Sequence, residues 1–377
     1  MSNSKDTLLK LLRIALGVEP DLSLPENVSW AEVYDLANSQ GVSAIVLDGI
    51  NMSVESQNEG ICSSFELPKN ESLRYEWLGR TLSVEKRNIN QFQVIKRLSD
   101  ILATKQYPFL LMKGFACSKY YPIPSHRECG DVDIFLGKNY KNSNLLLSNS
   151  GIDVDEYYYR HSASHVNGIM IENHRVLCDT RGPKETKEFE RQLWNLGEKS
   201  LFDSNDSILF GEKIRGLRLP SADFNALFLP WHVSAHFAFE KVTLRHVLDW
   251  ALFLMNDGND VDIEMFREAK KKYSFGYRSF ADILTAIAID KIGIPEENFP
   301  VEFVKDKNQV DLSLVDKVFD YIFQGGFRHR NENVWRFRIN NVISIWNERW
   351  KYKIIYNISV FGFLYYKIKG SLRKEGV

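Results

Sequence analysis

The hydrophobic pattern of this chain changes period twice, and those two changes constrain its fold more than any other feature. Up to residue 106 the apolar positions recur at helical spacing. Leu8, Leu9, Leu11, Leu12 and Ile14 mark a helix over 7–16. A second is predicted over 30–47 with Ser29 as N-cap, and a long one over 72–105. The stretch 50–71 between them is polar, holds Gly60 and Pro68, and reads as a loop. At Tyr107-Pro108 the runs shorten. Residues 109–112 and 131–136 fit buried strands, with a short helix over 114–120 that Pro122 and Pro124 terminate and another helix over 139–148. Segments 155–160, 162–166 and 169–173 read as strands, with Asn167-Gly168 as a hairpin turn. Beyond Pro220 the helical period returns, over 221–240, 242–255, 263–272, 277–292, 312–323, 334–350 and 351–369. This order predicts an α+β fold: a helical cap (1–106), an α/β module with a mixed sheet (107–220) and a mostly helical domain (221–377).

Composition narrows the classes. A hydrophobic fraction of 44% with 13% aromatic residues supports packed cores over disorder. The net charge of −1 does not commit the whole chain to nucleic acid or membrane. Its distribution is uneven, because residues 328–377 hold 11 Lys/Arg against 3 Asp/Glu, a local +8 that leaves −9 for the rest. There Arg328, Arg330, Arg336 and Arg338 alternate with Phe327, Trp335 and Phe337, and Trp346, Trp350, Tyr352 and Tyr356 follow. Such a stretch suits nucleic acid or an anionic membrane surface, or else an amphipathic helix pair packed on the acidic remainder, which is the favoured reading. Cys62, Cys117, Cys129 and Cys178 show no CxxC spacing, against a disulfide framework or structural zinc. No secretory signal is recognised at the start. The longest apolar stretch, 354–366, is broken by Asn357, Ser359 and Gly362 and falls short of the ~20 residues of a spanning helix, so a cytoplasmic protein is expected.

The chemistry concentrates around Asp131-Val132-Asp133. Residues two apart on a strand share a face, so the two carboxylates project together while Val132, Ile134 and Leu136 turn to the core. Paired carboxylates repel unless a cation or proton intervenes, and Mg²⁺ prefers oxygen ligands and bridges to phosphates. Gly130 leaves room for a ligand beside the pair. Lys113-Gly114, at a strand end opening a helix, suits phosphate, and Arg127 adds a bidentate cation. In 169–174 the alternation puts Glu172 and His174 on one face and Ile169 and Ile171 on the other. If that strand neighbours 131–136, Glu172 completes a three-carboxylate set able to hold two Mg²⁺ ions, with Mn²⁺ as a substitute.

Lys113-Gly114, Tyr120-Tyr121-Pro122, Arg127, Gly130-Asp131-Val132-Asp133 and Glu172-Asn173-His174 resemble the motifs of the uncharacterised bacterial nucleotidyltransferase family, part of the DNA polymerase beta-like nucleotidyltransferase superfamily. Leu229-Pro230-Trp231-His232 through His236, and Leu244-Arg245-His246-Val247-Leu248-Asp249-Trp250, extend the similarity. The resemblance implies a nucleotidyltransferase palm and metal-dependent transfer of a nucleoside monophosphate from a nucleoside triphosphate, with loss of pyrophosphate. Asp131 and Asp133 would bind metal, with Glu172 as third acid and possible general base. Lys113-Gly114 stand where the superfamily carries a Gly-Ser or Gly-Gly turn for the triphosphate, so charge replaces the serine contact.

Other candidates rank lower. His174 could orient Glu172 or touch substrate, with His161 and His165 weaker. Arg245, His246 and Asp249 could form a polar network facing the catalytic module. His232 and His236 stand i, i+4, but lack the glutamate of HisGluXaaXaaHis, so they are expected in helix packing or as a cleft wall rather than on zinc. Neither a P-loop nor a GlyXaaSerXaaGly elbow occurs. The competing functions are a scaffold that keeps the fold and nucleotide binding without chemistry, and a membrane- or nucleic-acid-associated transferase.

Overall fold

The computed structural model describes residues 2–24, 27–58, 70–180, 184–202, 205–239, 241–273, 277–324, 346–356, 359–362 and 364–365. The chain opens with α1 (Ser2–Ala15), α2 (Trp30–Gln40), α3 (Ser43–Asn58) and α4 (Glu71–Ala103). The helix expected over 30–47 is in fact two. Gly41 takes the left-handed conformation (φ 66°) and caps α2, and α3 then continues to Asn58, into the start of the region read as a loop. The rest of that stretch, 59–69, lies outside the described residues.

A six-stranded mixed sheet follows, in the order β3-β4-β5-β2-β1-β8. Its strands are β1 (Phe109–Met112), β2 (Val132–Phe135), β3 (Val154–Asp155), β4 (His161–Val166), β5 (Ile169–His174) and β8 (Leu217–Arg218), while β6 (Ile208–Leu209) and β7 (Glu212–Lys213) pair separately. Helix α5 (Lys113–Cys117) follows β1 and α6 (Tyr140–Asn149) follows β2. The predicted strand over 155–160 shrinks to Val154–Asp155. Helix α7 (Lys184–Phe202) and strand β8 were not expected.

The pleat divides the sheet into two chemically distinct faces. Phe109, Leu111, Val132, Ile134, Ile169 and Ile171 share a core with Phe92, Ile95 and Leu98 of α4 and Leu147 of α6. The opposite face carries Leu110, Met112 and Phe135 into a second core with Phe189 and Leu193 of α7 and the C-terminal helices. Those helices are α8 (Ala222–Phe239), α9 (Leu244–Asp257), α10 (Ile263–Lys272), α11 (Tyr277–Ala286), α12 (Val301–Lys307), α13 (Leu312–Gln324) and α14 (Arg349–Tyr356). A π-helical turn, Ile287–Ile292, continues α11. The N-terminal helices join this second core: Arg13 donates to the Ile292 carbonyl at 2.7 Å, and Gln40 bridges the Ile322 carbonyl and the Leu244 amide at 3.1 and 3.0 Å. Arg328, Arg330, Arg336, Arg338 and their aromatic neighbours lie outside the described residues. No helix among the described residues is long and apolar enough to cross a membrane.

The turn Pro124–His126 is held between α3 and α4. His126 faces Asp48 through Nδ1 at 2.7 Å and Glu85 through Nε2 at 2.9 Å. Burial opposes its charged form, but the two carboxylates outweigh burial and raise its pKa above 6.5. A histidine whose pKa rises on folding adds stability that is complete below its unfolded pKa and lost as pH climbs through the folded one. Thermal melts between about pH 6 and about pH 9 are expected to show this loss, and His126→Gln to flatten it. An unchanged slope in the variant would remove His126 from the account.

Candidate active site

Register builds the site. Strand β1 pairs antiparallel with β2, setting Met112 opposite Asp133, and β2 pairs parallel with β5, setting Asp133 beside Glu172 and Phe135 beside His174. Strand β4 pairs antiparallel with β5 and sets His161 opposite His174. All these side chains occupy one face, because cross-strand partners point the same way. Asp131 stands one pleat before Asp133 on the same side. The result is one cluster in which oxygens of Asp131, Asp133 and Glu172 lie within 4.8 Å of one another.

The cluster is partly compensated. Lys113 places Nζ 2.7 Å from Asp133 Oδ1, and His174 donates from Nε2 to the same oxygen at 2.8 Å. Lys113 has φ 36°, a rare conformation for a residue with a side chain, at the turn leaving β1. Burial alone would raise the Asp133 pKa, yet Lys113 and then His174 hold it far below the usual carboxylate range. Asp131 goes the other way: burial first, and the neighbouring Asp133 second, push its pKa up. Glu172 is lowered, with the His174 contact outweighing burial, and Lys113 is raised because Asp133 and Asp131 overcome its burial. Three acids thus share one face with a single buried ammonium, a charge balance that accommodates further positive charge.

The approach to Asp131 is fastened from three helices. Arg87 and Gln91 of α4 donate to the Gly130 carbonyl, Gln91 at 3.0 Å. Asn88 donates to the carbonyls of Ser125 and Arg127 at 2.9 and 3.0 Å. Glu128 accepts from Ser43 of α3 and pairs with Arg80, and its carbonyl takes Arg245 of α9 at 2.7 Å. The sequence pattern places these α4 residues only in the helical cap. Their signal was Arg80, Arg87, Asn88 and Gln91 recurring at helical spacing on a long helix, polar where a buried face is expected.

A cavity of about 330 Å³ opens over the cluster. Lys113, Gly114, Gly130, Asp131, Asp133, Glu172 and His174 line its sheet side; Arg127, Arg245, His246 and Asp249 line it from the loop and α9. Arg160, His161, Leu229, His232, Val233 and His236 also line it. His232 and His236 of α8 meet Nε2 to Nε2 at 3.0 Å, one donating and one accepting, and they form the cleft wall that their i, i+4 spacing allowed. Burial, and then the charge of Lys113, push the His232 pKa well down. His246 is likewise depressed, by burial first and Arg245 second; its Nδ1 accepts the Thr243 amide at 3.1 Å in a capping box that starts α9.

The family model for uncharacterised nucleotidyltransferases matches residues 26–281. The chain belongs to this family. No curated protein and no solved structure matches it. The matched span of this nucleotidyltransferase runs from before α2 into α11, so it holds the whole sheet and both cavity-lining helices, α8 and α9.

Some expected roles change. Arg127 forks onto Asp249, Nε to Oδ1 at 2.8 Å and Nη2 to Oδ2 at 2.6 Å, and its side chain is 4% exposed. That guanidinium is engaged in an internal ion pair instead of presenting a free fork to phosphate. Asp249 also accepts Tyr121 Oη at 2.8 Å, so Asp249 and Arg245 act on the loop before β2. The expected helix after Lys113 is a five-residue turn with Gly114 non-helical inside it, too short to supply an aligned dipole. His165 is exposed and outside the cavity, whereas His161, ranked beside it, enters the cluster.

Proposed function

We propose that the protein moves a nucleoside monophosphate from a nucleoside triphosphate, ATP by default, to a hydroxyl or amine acceptor and releases pyrophosphate. The observation that carries this reading is the convergence of Asp131, Asp133 and Glu172 on one sheet face above a cavity. An all-oxygen donor set of three carboxylates fits Mg²⁺, with Mn²⁺ as a substitute. Bound there, two such ions would neutralise phosphate charge and lower the pKa of the attacking oxygen. Asp131 and Asp133 hold the metals. Glu172 would complete the set and accept the acceptor's proton. Lys113 supplies the fixed positive charge for the triphosphate, in place of a serine contact. Gly114 and Gly130 leave its approach open: a Cβ at Gly130 would meet nothing within 4 Å. Neutral His232 and His246 line the acceptor side without adding charge. The division into a cap (1–106), a palm-like module (107–220) and a helical domain (221–377), in a cytoplasmic protein, belongs to the same reading.

Incubation of the protein with α-labelled nucleoside triphosphates, Mg²⁺ and a panel of acceptors tests this. Label transfer that requires metal is expected; metal-dependent nucleotide binding without any transfer, to the acceptors or to the protein itself, would favour the second reading. That second reading, a nucleotide-binding scaffold, draws on one observation, the Lys113 ammonium seated directly on Asp133.

A further inference from the structure

The histidines beside the acidic cluster form a grouping of their own. His161 and His174 are register partners on β4 and β5, so their rings rise from the same face, with centroids 5.4 Å apart. Glu172 lies between them. Its Oε1 is 3.4 Å from His161 Nε2 and its Oε2 is 3.4 Å from His174 Nε2. These separations exceed the ordinary N–H···O range of about 2.7–3.2 Å. Each is near the separation of about 3.4 Å between two ligand atoms on one ion with bonds of about 2.1 Å, and because the two nitrogens face different oxygens, Glu172 would serve such an ion as a bidentate ligand. One ligand atom from each of the three residues falls within 4.8 Å of the other two.

We propose that His161, Glu172 and His174 form a mixed nitrogen–oxygen metal site that takes a first-row transition ion in preference to Mg²⁺, beside the all-oxygen pair of Asp131 and Asp133. Imidazole suits Zn²⁺, Fe²⁺ and Ni²⁺, whereas Mg²⁺ prefers carboxylate, carbonyl and water; Mn²⁺ shares that oxygen preference but accepts imidazole, so it serves as the paramagnetic probe. Glu172 belongs to both groups and links them. When His174 Nε2 takes a metal its proton moves to Nδ1 or leaves to solvent, the bond to Asp133 gives way, and Asp133 Oδ1 keeps only its Lys113 contact. The rear nitrogens, Nδ1 of His161 and of His174, are buried and find no hydrogen-bond partner among the described residues. With Nε2 on the ion, each Nδ1 carries the ring proton.

The inference stands on ligand geometry and needs neither nucleotide nor transfer, so its test is separate from that of the proposed reaction. Full-length protein, stripped with chelator, is titrated with Mn²⁺ alone and followed by electron paramagnetic resonance and electron spin-echo envelope modulation. Bound Mn²⁺ with imidazole nitrogen modulation is expected, and excess Mg²⁺ should displace only the Mn²⁺ that lacks it. His161→Ala and the size-preserving His161→Gln should weaken the nitrogen-coupled class at least tenfold, while Asp131→Asn spares it. Bound Mn²⁺ with no nitrogen modulation in the wild-type protein overturns the proposal whatever the variants do. So does Mg²⁺ displacing every ion equally.

Discussion

The Asp131→Ala/Asp133→Ala double variant is expected to lose nucleotidyl transfer by three orders of magnitude or more, about 4 kcal/mol of barrier. The two residues supply two of the three carboxylates of the oxygen set, and Glu172 alone cannot hold a hard divalent ion that seeks several carboxylate oxygens. The single asparagine variants should separate function from stability. The Asp131 pKa is raised by burial and by Asp133, so at neutral pH its ionised form is less favourable in the folded chain than in the unfolded one. Asp131→Asn removes that charge and should raise the melting temperature while metal binding falls. The Asp133 pKa is depressed, because Lys113 and His174 overcome its burial, so its ionised form favours folding. Asp133→Asn leaves the Lys113 ammonium without its nearest carboxylate and should lower the melting temperature. Adjacent carboxylates thus move stability in opposite directions while both substitutions abolish the reaction. Transfer that survives the double substitution removes both residues from the catalytic role, and melting shifts of the same sign remove the electrostatic account.

The parts of this site that follow period two were open to inspection in the sequence. Asp131 and Asp133 share one side of their segment, and Glu172 and His174 share one side of their strand, away from Ile169 and Ile171, because alternation on a strand fixes both. That the two strands are neighbours was a conditional, since parallel pairing of β2 with β5 is a long-range choice that no local pattern encodes. His161 shows the same limit. On its strand it alternates with Ala163 and His165, and only the register with His174 selects it over His165. The partners of Arg127 were hidden for a different reason. An arginine four residues before an acid pair reads as a phosphate ligand until tertiary packing delivers Asp249, 122 positions later, to its fork. Helix α7 went unread although Phe189, Leu193 and Leu201 bury one side of it, because charged residues crowd the stretch. The break between α2 and α3 rests on the backbone of Gly41, which a hydrophobic pattern does not report.

Breaking the Arg127–Asp249 pair is expected to have the largest effect on stability. Both side chains are below a tenth exposed and joined by two short hydrogen bonds. Removal of one partner strands the other charge in the interior, which costs about 3–5 kcal/mol. Arg127→Met should therefore destabilise by that order in urea melts, since among the described residues Tyr121 alone remains to serve Asp249. A double Arg127→Met/Asp249→Leu variant strands no charge and should recover much of the loss. The functional readout distinguishes two roles for the arginine. If Arg127 is a phosphate ligand restrained by Asp249, then Asp249→Asn frees its fork and nucleotide affinity rises. If the pair instead clamps the 125–130 loop onto α9, Asp249→Asn loosens the approach to Asp131, and metal and nucleotide affinity fall together. The donors that Arg87, Asn88, Gln91 and Arg245 direct at the same loop favour the second result. A gain in nucleotide affinity on Asp249→Asn would return Arg127 to the phosphate site.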